Sequence, residues 1–268
     1  MDSKKSVVRA IIVLLVAILM ITMLASCSSQ SDKSVDDSGA TTTDDIQSTE
    51  STTENTLENK TAEDFVETAV EYEVHYSGDF LITGEKQLSD GVVKSRMPQL
   101  TLESSDAETI NQDIHNNYDE RFTWYADASE RSDKTDYVCY LNGEILSLVI
   151  ETRTIDSPTS WFDVYNINVS TGKQLDNQSL VKLSGISLNE AYGMVYSKIE
   201  DVFDNVQSDW VDSSVLEDVK SKSLATGNIE SSKFFYDKDG TLCATYMYNW
   251  FAGGGIVGDV SALSASIL

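Results

Sequence analysis

Tyr137-Val138-Cys139-Tyr140-Leu141-Asn142-Gly143-Glu144-Ile145-Leu146-Ser147-Leu148-Val149-Ile150 is the stretch that decides the fold. Two apolar runs rich in β-branched and aromatic residues flank Asn142-Gly143. Both turn residues tolerate the positive φ of a type I′ turn, so the spacing predicts a β-hairpin. Phe162, Val164, Ile167 and Val169 continue the sheet, and Thr171-Gly172-Lys173 turn it. Asn166 and Asn168, just ahead of that turn, are expected to organise it through side-chain to backbone bonds. Near the C-terminus, Phe234-Phe235-Tyr236 and the run 241–251 flank Asp237-Lys238-Asp239-Gly240, which reads as a second hairpin.

Upstream, 71–83 and 92–103 carry short period-two runs, and Pro98 within the second places it at an edge or a bulge. Two amphipathic helices complete the pattern. Asp106 reads as the N-cap of the first, with Ala107, Ile110, Ile114 and Tyr118 on one face. Ser187 caps the second, whose apolar stripe is Ala191, Met194, Val195, Ile199, Val202 and Phe203. Runs of strands broken by two helices predict an α+β domain, a mostly antiparallel sheet with the two main helices packed on one face. It is expected to span 63–268, with a sub-boundary near residue 130 left open.

The N-terminal part reads differently. Lys4, Lys5 and Arg9 precede an apolar run of about fifteen residues, 10–24, too short to span a bilayer comfortably and of the length of a signal-peptide core. Leu24-Ala25-Ser26-Cys27 resembles a bacterial lipobox. That resemblance implies cleavage after residue 26, diacylglycerol on the Cys27 sulfur, and a mature chain held on the outer face of the plasma membrane. An uncleaved anchor is the alternative, and it too leaves the bulk of the chain outside. Residues 27–62 are Ser, Thr, Asp and Glu-rich with almost no large apolar side chain, so they are expected to form a disordered acidic tether.

Charge narrows the partners. The chain carries 44 acidic against 19 basic side chains, a formal net charge of −25. Nucleic acid recognition needs clustered Lys and Arg and is not expected. Anionic wall polymers would be repelled, and basic proteins drawn in. With only His75 and His115 and no Cys/His cluster, neither a metal site nor a cofactor is expected. Cys139 and Cys243 are candidates for a disulfide, since an extracellular address permits one; two separate buried thiols are the alternative.

No catalytic residue is assigned. Ser147, Ser170 and Ser184 have no His placed beside them by the sequence. Glu144 and Glu151 are the candidate carboxylate pair for a peptidoglycan or polysaccharide hydrolase, the alternative function. Asp237-Lys238-Asp239-Gly240 has half the ligands of a calcium loop and reads as a turn. Among the aromatics, Trp161 beside a Ser-Pro-Thr-Ser loop, and Trp250 with Phe251 before Gly253-Gly254-Gly255, are the candidate partner-binding residues.

One set of blocks carries a family resemblance. Arg96-Met97-Pro98-Gln99-Leu100, Ala107-Glu108-Thr109-Ile110-Asn111, Gly143-Glu144-Ile145-Leu146-Ser147-Leu148 and Tyr165-Asn166-Ile167-Asn168-Val169-Ser170-Thr171-Gly172-Lys173 occur in that order. From about Tyr72 onward, the chain resembles the paired extracellular domains of unknown function of the RsiV/PdaC type. These occur in lysozyme-sensing anti-sigma factors and beside peptidoglycan deacetylase domains. The resemblance implies a Gram-positive envelope domain working at peptidoglycan or binding lysozyme. About ten residues before the apolar run are too few for a sigma-binding segment, and the deacetylase domain with its Asp and paired His has no counterpart. The expectation is a non-enzymatic surface lipoprotein whose domain binds lysozyme or peptidoglycan.

Overall fold

A computed structural model describes residues 59–76, 91–124, 133–154, 159–205, 212–250 and 256–263. The signal segment, the tether up to residue 58, Cys27 and Phe251 lie outside the described residues. All that is described falls in one compact unit, residues 54–268. A short 3-10 turn, Ala62–Asp64, leads into β1 (Val66–Tyr76) and β2 (Gly91–Leu100), then α1 (Ser105–Trp124). Next come β3 (Asp133–Asn142), β4 (Ile145–Thr154), β5 (Ser160–Asn168) and β6 (Lys173–Leu175). Four helices follow: α2 (Asn177–Leu183), α3 (Leu188–Asp204), α4 (Ser213–Ser223) and α5 (Thr226–Glu230). The last elements are β7 (Lys233–Tyr236), β8 (Leu242–Asn249) and β9 (Ile256–Ala262). Among the described residues no helix is long and apolar enough to cross a membrane.

The fold is α+β with antiparallel sheets. β1 and β2 form a two-stranded ribbon, β3-β4-β5-β6 a central sheet, and β7-β8-β9 a third sheet. The Asn142-Gly143 turn forms, with Gly143 at φ 58°, and sets the β3–β4 register from Asn142↔Ile145 to Asp133↔Thr154. That register sorts the side chains. Leu146, Leu148 and Ile150, with Tyr165 and Ile167, meet Ile110, Ile114 and Tyr118 of α1 and Met97 and Leu100 of β2 in one core. Val149 and Phe162, on the opposite face, meet Phe235 and Cys243 of the third sheet, and the Tyr140 and Phe235 rings stack with centroids 6.1 Å apart. The far face of the third sheet is covered by α2, α3 and α5 through Leu180, Val181, Ala191, Val195, Ile199, Phe203 and Ile229. Of these, the wholly buried Leu180, Val181, Val195 and Ile199 side chains contribute about 1.5–3 kcal/mol each.

Each of these two sheets therefore carries helices on one face, but not the same sheet: α1 covers the central one and α3 the third. The reading of a single sheet missed this because the second hairpin has to bury two faces, with Phe234 turned to the helices and Phe235 to the central sheet. Reciprocal tyrosine–aspartate bonds lock α1 down. Tyr118 of α1 donates to Asp163 of β5 at 2.6 Å, and Tyr165 of β5 donates to Asp113 of α1 at 2.7 Å.

Local expectations are met in some places and corrected in others. Pro98 pairs with Thr68 where the β1 register shifts between Thr68 and Val70, so the missing N–H falls at a bulge. Ser187 caps α3 with Glu190 in a reciprocal capping box. Asp106 is not the cap of α1. Ser104 is, accepting from the Ala107 N–H at 3.1 Å, while Asp106 turns outward to the Gln174 N–H at 3.0 Å and Lys173 at 3.4 Å. That backbone bond, with the Lys173 contacts, holds the Asp106 carboxyl below its ordinary pKa. Asn168 does organise its turn, accepting from Ser170 and Thr171. Asn166 does something else, described next.

Three serines join the sheets. Ser95 Oγ of β2 accepts from the Thr135 N–H at 2.9 Å and donates to the Thr135 carbonyl at 3.1 Å, meeting the edge of β3. Ser160 Oγ of β5 does the same for Gly258 of β9, with both bonds at 3.0 Å. Ser147 Oγ of β4 accepts from the Tyr236 N–H at 3.1 Å and donates to Asn166 Oδ1 at 2.7 Å; Asn166 Nδ2 then donates to the Phe234 carbonyl at 2.8 Å. All three serines are buried. Edge strands present unpaired backbone groups, and burying these without a partner is costly; here both edges of the third sheet are satisfied by side chains of the central one.

Candidate binding groove

The groove forms where two turns meet. Asn142 Nδ2 of the first hairpin donates to the Asp237 carbonyl of the second at 2.7 Å. Asp237 folds its own turn, its Oδ1 accepting from the Asp239 and Thr241 N–H groups at 2.9 Å each. This is the turn expected at Asp237-Lys238-Asp239-Gly240. Beside it, α2 ends at Leu183, and the Ser184 hydroxyl bonds Tyr236 OH at 2.6 Å. α3 then starts at its Ser187 cap and brings Met194 alongside.

Between these pieces lies a cavity of about 500 Å³. Ile145, Leu183, Ile186, Met194 and Leu242 make its apolar walls, with Tyr236, Asn142, Thr241 and Asp239 as polar members. Leu183 is 61% exposed, the most exposed of the large apolar side chains described. A concave, mostly apolar site with a few polar groups suits binding. No cluster of three metal-ligating side chains occurs among the described residues.

The residues singled out from the sequence lie elsewhere. Trp161 is half-buried on β5 opposite Thr152, on the strand face it shares with Asp163 and Tyr165, toward α1. Trp250 is half-buried just after β8, tilted against Tyr248 with centroids 6.3 Å apart and packed on the core beneath the helices. The two tryptophans thus occupy different layers and are not brought together.

The disulfide does not form: Cys139 and Cys243 are free thiols. Cys139 of β3 packs against the α1 core, whereas Cys243 of β8 lies between the two stacked sheets. Burial, reinforced by the Glu63 charge, pushes the Cys139 thiol up to about 11. Burial and then Asp237 push Cys243 up to about 12. Both stay protonated at neutral pH and make poor nucleophiles.

Glu144 and Glu151 are kept apart. Glu144 sits exposed in the first hairpin turn, accepting from Asn168 Nδ2 at 3.1 Å and Ser170 Oγ at 2.9 Å. Glu151 is fully buried near the other end of β4, 3.8 Å from Arg153. Seven extended residues separate the two by roughly 23 Å, against roughly 5–10 Å for a glycosidase pair. Glu151 belongs instead to a buried charge group in which Asp136 lies opposite it and Arg96 reaches Asp136 at 2.7 Å.

Sequence reasoning missed the groove itself. Met194 was read as part of a buried stripe, and α2 was not read as a helix at all. Its signal was present: Asp176 caps it through the Ser179 N–H, and Leu180, Val181 and Leu183 follow. Compared with family models, with curated proteins and with solved structures, the chain finds no match.

Proposed function

We propose that this chain is a lipid-anchored surface protein of a Gram-positive envelope whose α+β domain binds a basic protein of the lysozyme class and carries out no catalysis. The observation that carries the reading is charge: 44 acidic against 19 basic side chains, most of the acids beyond residue 62 and so on the folded part. Such a surface attracts cationic proteins over distance and raises their association rate. The lipobox at Leu24-Ala25-Ser26-Cys27 supplies the address, and the RsiV/PdaC-type blocks point to the same partner class. An apolar groove among polar turns gives the complex a place to bury surface, which is where affinity comes from once charge has brought the partners together.

The test uses the full chain. Wild-type protein in detergent is passed over immobilised lysozyme and, in parallel, over purified peptidoglycan. Retention on lysozyme that salt reverses supports the reading. Retention on peptidoglycan alone makes the protein a wall-binding module, and release of new reducing ends from peptidoglycan makes it a hydrolase; either result replaces the proposal. Anchoring is tested separately: Cys27→Ala should leave an unprocessed precursor that no longer takes up a palmitate analogue.

A further inference from the structure

The groove combines aliphatic walls with polar atoms whose donors are largely consumed by its own framework. In the second turn the Asp239 and Thr241 N–H groups both go to Asp237 Oδ1 at 2.9 Å, and the Gly240 N–H goes to the Asp237 carbonyl at 3.0 Å. Asn142 spends its Nδ2 on that same carbonyl, which leaves Oδ1 beside Gly240, 3.2 Å from where a Cβ would sit. Tyr236 donates its hydroxyl hydrogen to the Leu180 carbonyl at 3.3 Å, so the 2.6 Å bond to Ser184 takes the serine's hydrogen. Acceptor capacity is what these bonds leave over: the Asp239 carboxylate, Asn142 Oδ1 and Ser184 Oγ, with the Thr241 hydroxyl serving either way. Asp239 is also the charged member of the lining, and no basic side chain is among the described residues that form it.

We propose that the groove seats a lysine or arginine side chain of the basic partner, its stem on Ile145, Met194 and Leu242 and its cation among the acceptors Asp239 and Asn142 Oδ1. The inference rests on the reading that the partner is a basic protein, and it says where that partner is held. Both halves of such a side chain match the groove: a methylene stem that packs on aliphatic walls, and a cationic tip that donates hydrogen bonds and accepts none. A purely apolar residue would leave the acceptors without donors once water was expelled, and an acidic one would meet the charge of Asp239. Asp239 already meets Lys238 at 2.7 Å, but the two side chains are 67% and 76% exposed. An exposed pair of this kind is weak, so a partner's cation displaces it at little cost.

Methyl NMR of the full chain in detergent, with labelled methionine methyl groups, tests the site itself. Met194 lines the groove, while Met97 lies fully buried in the α1 core and reports folding. The probes are Nα-acetyl-arginine amide and Nα-acetyl-citrulline amide, which share a stem and a shape, but citrulline is neutral and carries an acceptor oxygen. The arginine probe should move the Met194 resonance and leave Met97 in place. About tenfold more of the citrulline probe should be needed for the same shift, and about tenfold more of the arginine probe with Asp239→Asn. A Met194 resonance that the arginine probe does not move, or that both probes move alike, overturns the proposal. Lysozyme then joins the site to the partner: it should move Met194 in the same protein, and Asp239→Asn should raise its off-rate by about tenfold. Lysozyme that binds with Met194 unmoved and an off-rate indifferent to Asp239→Asn overturns the seat and leaves the reading of the partner standing. A parent protein that takes up the arginine probe yet does not bind lysozyme overturns that reading, and with it the claim that a basic protein supplies the side chain.

Discussion

Replacing Ser147 by Ala should be far more damaging than loss of one small hydroxyl suggests. Ser147 Oγ is the acceptor for the Tyr236 N–H at 3.1 Å and the donor to Asn166 Oδ1 at 2.7 Å, and the residue is wholly buried. Alanine fits the same space but leaves both groups without that partner inside the interface between two sheets. Each buried group left unsatisfied costs about 1–3 kcal/mol. Because Tyr236 is half-buried, the lower part of the combined range applies, about 2–3 kcal/mol. Urea denaturation measures it: with m near 1–3 kcal/mol/M, the midpoint should fall by roughly 1 M or more. Ser170→Ala is the control, since Ser170 is exposed and bonds only at the surface; it should stay within about 0.5 kcal/mol of the parent. Asn166→Ala combined with Ser147→Ala should cost less than the sum of the two, because both remove the same link. A Ser147→Ala loss below about 0.5 kcal/mol, equal to the control, would refute the reasoning that these side chains hold the third sheet against the central one.

Further expectations follow from the same contacts. A Cβ at Gly258 would lie 2.7 Å from Phe162 Cε2 and 2.8 Å from the Ser160 carbonyl, so Gly258→Ala should cost about 1–3 kcal/mol by the same denaturation assay, and no loss would mean that β9 has room to move. Alkaline pH should destabilise the fold. Burial raises Cys243 and Tyr248 each to about 12 and also pushes Tyr118 and Tyr165 upward, the latter two helped by their aspartate partners. These protons are held more tightly folded than unfolded, so the stabilisation is whole below the ordinary pKa of 9.0 for cysteine and 10.0 for tyrosine and fades as pH rises toward 12. The urea midpoint should hold up to about pH 9 and decline above it; a constant midpoint through pH 11.5 would contradict this. Cys243, which is buried, and Cys139, which is partly so, should react slowly with a disulfide-exchange reagent at pH 8 in the native protein and fast in urea, Cys243 the slower of the two in the native protein, whereas equal rates in both states would contradict their shielding by the fold.

Short-range chemistry was legible in the sequence, and the layering was not. Asn142-Gly143 announced its turn because few residues accept positive φ, and Ser187 with Glu190 announced a helix start because capping needs those side chains at that spacing. Alternation along β4 separated Leu146, Leu148 and Ile150 from Ser147 and Val149. It did not reveal that both faces would be buried, one by α1 and one by a second sheet. That depends on Phe235 and Cys243, nearly a hundred residues further on, arriving opposite Val149 and Phe162. Ser147 and Asn166 looked like ordinary polar positions of a strand and a turn. Their role appears only once β7 lies across them. Asp106 was mistaken for a cap because Ser104, two residues earlier, has an equally suitable side chain. The groove was hidden for the same reason as the layering, since it joins a turn at Asn142, a helix end at Leu183 and another turn at Thr241.

The claim that the domain is built to capture a basic protein is tested most directly by the salt dependence of its encounter with lysozyme. Full-length protein is held on a sensor surface, and association and dissociation rates are measured at low and at high ionic strength. The account predicts binding at micromolar lysozyme or below, with the on-rate falling by about tenfold or more as salt screens the acidic surface, and the off-rate changing much less. Absence of binding at micromolar lysozyme in low salt would contradict it, and so would binding whose on-rate is indifferent to salt.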